Sequence, residues 1–184
     1  MPNMSLSKNN TVKYIYIFCF SLFLILISLV LTNNFNNFNK IGIFPNLSLI
    51  ALIYISAYLD VYPGAILAYL LFYIYGSMTV LNPVVFSLAG VVSYGVSYIL
   101  WRKVSAENSM NEILITFFSS IIYYLMLFLI VFYSIGIHFN FLNFFLLYSL
   151  PASITTSLIS PLVFFVFKKF GYKIFLKRNK IIFD

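Results

Sequence analysis

The sequence predicts an all-α integral membrane protein, a compact bundle of six transmembrane helices with both termini cytoplasmic. Three observations lead there. Hydrophobic residues make up 62% of the chain and charged ones only 8%, where a soluble domain carries roughly a quarter charged residues. The apolar residues fall in long blocks, not in the alternating runs of about ten that mark a membrane β-barrel. The basic residues collect at the ends of those blocks, where they set topology.

The first block, residues 14–31, follows Lys8 and Lys13 and leaves through TNNFNNFNK. That exit has no A-x-A-like cleavage site, so the block reads as a retained helix rather than a signal peptide. The second, 43–59, places Pro45 in its first turn, where a missing N–H costs nothing. DVYPG, residues 60–64, then turns the chain back. The third, 63–81, has the shortest apolar run and admits a re-entrant reading. NPVVFSLAGVVSYGVSYILW, residues 82–101, is the fourth, opened by Pro83 and closed by Trp101 at an expected membrane interface. Blocks 112–137 and 144–167 complete the set. Ser109-Met-Asn-Glu112 has the spacing of a capping box, making Glu112 a helix-start residue.

Charge decides between six spans and five. With six, Lys8, Lys13, Arg102, Lys103, Lys168, Lys169, Lys173, Lys177, Arg178 and Lys180 share one side, against Lys40 on the other. The positive-inside rule makes that side cytoplasmic, with Arg102, Lys103, Lys168 and Lys169 as topology anchors. The chain divides into a cytoplasmic amino terminus (1–13), a six-helix domain (14–167) and a basic cytoplasmic tail (168–184). The net charge of +7 therefore points to the lipid bilayer as a partner, not to nucleic acid. Cys19, the one cysteine, leaves neither a disulfide nor a cysteine metal site.

Catalytic chemistry is scarce. The predicted spans hold no Asp, Glu, Lys or Arg in their middles, where such groups mark functional sites. His138 stands alone in a short outer loop, and no serine has a Gly-x-Ser-x-Gly context. No Gly-rich phosphate loop is present either. The expectation is a protein that holds something, with no catalytic residue, cofactor or metal.

Small and hydroxyl residues offer a means of holding. Ser149, Ser153, Thr156 and Ser160 fall on one stripe of the last span, which also holds Pro151 and Pro161. Ala89, Ser93 and Ser97 repeat the spacing in the fourth, Ser48 and Ser56 in the second, Gly64 and Ala68 in the third. Such stripes let backbones approach and bond across helices, within the chain or to a partner. Pro161 frees a carbonyl that Thr156 and Ser157 are expected to help satisfy. Tyr54, Tyr58, Tyr69, Tyr94, Tyr123 and Tyr124 lie mid-span, and either bond between helices or line a polar cavity.

Two stretches carry a resemblance: FPNLSLIALIYISAYLDVYPGAILAYLLFY (44–73) and LPASITTSLISPLVFFVFKKF (150–170). Together with six short spans they resemble the rod shape-determining MreD family, at Pro45, Gly64, Ala68, Leu150, Pro151, Thr156, Pro161, Lys168 and Lys169. Where that family commonly has an Asp before a Ser-Gly pair, this chain has YIYGSMTVLN. The resemblance implies a non-enzymatic scaffold in the bacterial cytoplasmic (inner) membrane. Its partners would be an MreC-type single-span membrane protein and the cell-wall synthases of the elongation complex. The alternative on the same coarse features is the substrate-binding S component of an energy-coupling-factor vitamin transporter.

Overall fold

A computed structural model describes residues 4–34, 44–79, 82–104, 108–135 and 140–175. These form six helices and, among the described residues, no strand. They are α1 (Met4–Asn34), α2 (Leu47–Tyr58), α3 (Val61–Ser77), α4 (Pro83–Trp101) and α5 (Ser109–Ile135). The last, α6, runs without a break through Phe141–Phe144, a π-helical turn Phe145–Ser149, and Leu150–Phe175. Three helices, α4, α5 and α6, are long and apolar enough to cross a membrane; the apolar parts of α1, α2 and α3 are shorter.

The short helix sits at the centre. Every residue of α2 from Leu47 to Ser56 is buried, as expected of a helix that is apolar all round. It touches each of the other five helices. Around it α1, α3, α4, α5 and α6 close a ring, each against the next and α6 against α1. An open apolar groove of about 410 Å³ separates the outer faces of α1 and α3, lined by Tyr14, Phe18, Ile66 and Leu70 among others.

Helix ends differ from the expected ones for local reasons. Pro45 lies outside α2, because Asn46 is its N-cap and accepts the Leu49 N–H on its side chain. The capping box at Ser109 does not form. Asn108 caps α5 instead, its Oδ1 accepting from Met110 N at 3.0 Å, a geometry asparagine favours at least as strongly as serine. Asn82 caps α4 in the same way, ahead of Pro83. Helix α1 begins at Met4, inside the stretch expected as an amino-terminal extension, and α6 continues past the lysine pair to Phe175. His138 and residues 176–184 lie outside the described residues.

The π turn has a cause in Pro151. A proline in a continuing helix clashes with the carbonyl four residues back. Here the preceding turn widens, so that Leu150 N–H bonds Phe145 O, five residues back, and the proline is accommodated.

Candidate functional site

The hydroxyl stripe of α6 faces inward. Ser149, Ser153, Thr156 and Ser160 are all fully buried, and Pro151 and Pro161 are half-buried beside them. Most of these hydroxyls serve their own helix. Ser153 Oγ donates to Ser149 O at 2.8 Å and Thr156 Oγ1 to Ala152 O at 2.6 Å. The carbonyl that Pro161 leaves without its N–H donor is that of Ser157, and Ser160 Oγ donates to it at 2.8 Å. Ser160 therefore does the work expected of Thr156 and Ser157.

Thr156 also bonds across helices. Its oxygen accepts the Asn46 N–H at 2.9 Å, which ties α6 to the start of α2. Asn46 is a joint between two helices: its N–H is held by Thr156 of α6 while its side chain caps α2.

The other stripes meet helices of the same chain. Ala89, Ser93 and Ser97 are fully buried, and Ser93 Oγ donates to Ser119 O of α5 at 3.0 Å. Ala68 is buried, and Gly64 lies so close to α4 that a Cβ there would stand 1.8 Å from the Tyr94 hydroxyl. That hydroxyl donates to Asp60 O at 3.0 Å, closing the α2–α3 turn.

The tyrosines divide. Tyr69 is exposed and stacks with Tyr73. Tyr54 lies flat on Phe167 at 4.1 Å and beside Tyr58 at 4.6 Å. Tyr123, Tyr124 and Tyr148 form an edge-to-face chain with centroids 5.4 and 5.6 Å apart, and Tyr75 of α3 lies near it. Edge-to-face contacts align positive ring edges with negative faces.

At the opposite end of α5 stands the pair that sequence reasoning missed. Lys168 Nζ reaches Glu112 Oε1 at 2.5 Å, with side-chain exposures of 40% and 4%. Glu112 is thus a buried carboxylate joining α5 to α6, more than a helix-start residue. Lys168, taken as a topology anchor, is its counter-ion. The signal was present: both residues end apolar blocks on the same side of the six-span arrangement. Lys103 and Lys169 are exposed, and Arg102 stacks on the Tyr98 ring at 4.6 Å and hydrogen-bonds its hydroxyl. Trp101 is not the exposed interface residue expected, for it is buried and its indole N–H bonds Ile53 O of α2 at 3.2 Å.

Among the described residues no group of three or more His, Cys, Asp and Glu side chains comes together to hold a metal. Among the described residues, the fold is an all-helical bundle with three helices long and apolar enough to cross a membrane, whose short central helix is held by the Thr156 hydroxyl, the Trp101 indole and aromatic rings. Compared with protein-family models, with curated proteins and with solved structures, the chain matches none.

Proposed function

We propose that the protein is a non-enzymatic, multi-pass scaffold of the bacterial cytoplasmic membrane. It crosses the bilayer six times with both ends in the cytoplasm, and organises lateral peptidoglycan synthesis with an MreC-type single-span partner and the wall synthases of the elongation complex. The MreD-like stretches 44–73 and 150–170 give that reading its particulars. The observation that carries it is the inward turn of the small-residue stripes: Ala68, Ala89, Ser93, Ser153 and Thr156 are all fully buried. Bonds that lock helices to one another make a rigid body whose outward apolar faces can serve a partner.

The test is photo-crosslinking in the native membrane from outward positions on different faces, Leu70, Leu129 and Leu158, followed by mass spectrometry. A single-span partner together with wall synthases is the expected product. Recovery of a cytoplasmic ATPase pair with a second membrane subunit overturns it. That outcome would favour the second reading, the vitamin-capturing S component, for which Tyr75, Tyr123, Tyr124 and Tyr148 gather the aromatic and hydroxyl groups a neutral ligand needs.

A further inference from the structure

Most buried hydroxyls of α6 are bonded within their own helix, with Ser149 the exception, whereas most of those on α5 are not. On α6 the buried Ser153, Thr156, Ser157 and Ser160 each donate to a carbonyl of their own helix, the usual refuge of a buried hydroxyl. On α5, Thr116, Ser119, Ser120 and Tyr123 are as deeply buried, yet their hydroxyls find no hydrogen-bond partner among the described residues. Ser21, Ser28, Ser48 and Ser149 share that state elsewhere, but α5 holds four such hydroxyls on one face, and a buried hydroxyl left unbonded is costly.

They are also in line. Glu112, Thr116, Ser119, Ser120 and Tyr123 recur at helical spacing, so one buried stripe runs from the carboxylate to the tyrosines. Along the helix axis Glu112, Thr116, the Ser119–Ser120 pair and Tyr123 follow one another at about 4.5–6 Å. These hydroxyls make no direct bond to one another, and spacings of that order suit bridging water, which spans about 5.5 Å with two bonds. Beyond Tyr123 the stripe reaches half-buried Tyr148 and Tyr75. At the other end Lys168, 40% exposed, connects Glu112 with the surface. Among the described residues, Tyr54 and Tyr58 of α2 also lie near Glu112.

We propose that this stripe is a hydrated proton relay through the bundle, in which bound waters bridge Thr116, Ser119, Ser120 and Tyr123 and connect the tyrosine cluster to Glu112. A proton entering at Tyr148 and Tyr75 moves by successive hops, each hydroxyl or water accepting one proton and passing one on, so that no charge stays in the stripe. It ends on the Glu112 carboxylate, which becomes neutral and loosens Lys168. Release of that proton to water beside Lys168 restores the ion pair.

The relay is separate from the scaffold reading and is tested without partners. Purified full-length protein is placed in liposomes holding a pH-sensitive dye, and a potassium gradient with valinomycin drives protons across. The expected result is proton flux above protein-free liposomes, lost in Glu112→Gln, Tyr123→Phe and Thr116→Val, and kept in Thr116→Ser. Ser87→Ala, whose hydroxyl already serves Pro83 O at 2.9 Å, should leave it unchanged. Wild-type flux equal to the protein-free background overturns the relay, as does flux that survives Glu112→Gln. Thermal unfolding in detergent adds a readout independent of flux. With bridging water Thr116→Val lowers the midpoint, whereas a dry stripe gains stability from the apolar isostere, which would also overturn the proposal.

Discussion

Thr156 Oγ1 accepts the N–H of Asn46 at 2.9 Å while donating its own proton to Ala152 O at 2.6 Å. One hydroxyl thereby closes a cap at the start of α2 and a bond inside α6. Thr156→Val keeps the shape and strands the Asn46 N–H. Unfolding in detergent should show a loss of about 1 kcal/mol, within the range of interhelical bonds in membranes, and Thr156→Ser should recover most of it.

Gly64 and Gly95 make a contrasting pair. A Cβ at Gly64 meets the Tyr94 hydroxyl at 1.8 Å and its ring carbon at 2.3 Å, whereas at Gly95 nothing lies within 4 Å. Gly64→Ala should cost about 1–3 kcal/mol through overpacking and free the α2–α3 turn, to be read as faster proteolysis near Asp60. Gly95→Ala, in a helix, should be neutral or stabilising by up to about 1 kcal/mol.

The ion pair is lopsided, with Glu112 buried and Lys168 half-exposed. Lys168→Met leaves a carboxylate without its counter-ion away from water, and should destabilise more than Glu112→Gln, after which the lysine reaches solvent. Removing one partner of a fully buried pair costs about 3–5 kcal/mol, and exposure at Lys168 places this pair below that range. In the double variant Glu112→Gln with Lys168→Met the loss should be smaller than for Lys168→Met alone, as measured by a double-mutant cycle.

Ser160 and Pro161 are coupled through the Ser157 carbonyl. Ser160→Ala should cost about 1 kcal/mol in the native sequence. In a Pro161→Ala background the restored N–H takes that carbonyl, and the same substitution should become nearly silent. Equal costs in both backgrounds would deny the coupling.

Six helices and their approximate positions were legible because apolar blocks, prolines and caps are local signals; α4 opens at Pro83, as its sequence indicates. The burial of the small-residue stripes could be anticipated from spacing, but not which helix each one meets. Legibility fails where the answer depends on a distant partner. Glu112 looks like a cap from its neighbours, and only the approach of Lys168, which lies 56 residues away, makes it half of an ion pair. Trp101 carries the composition of an interface anchor, yet Ile53 O draws it inside. The ring around α2 is likewise tertiary: its 12 residues look like any other apolar block until their neighbours are known.

That ring bears on how the chain is made. At 12 residues, α2 is about 18 Å long, so on the six-span reading its non-helical flanks must complete the crossing of a hydrocarbon layer of about 30 Å, and most of the wall that encloses it is synthesised after it. The nascent chain must therefore keep α2 in waiting, at the membrane or under a chaperone's care, until α6 arrives to clasp Asn46 through Thr156. Maturation is all-or-nothing on this account: chains stopped before residue 156 should be cleared by membrane proteases rather than accumulate as smaller stable bundles.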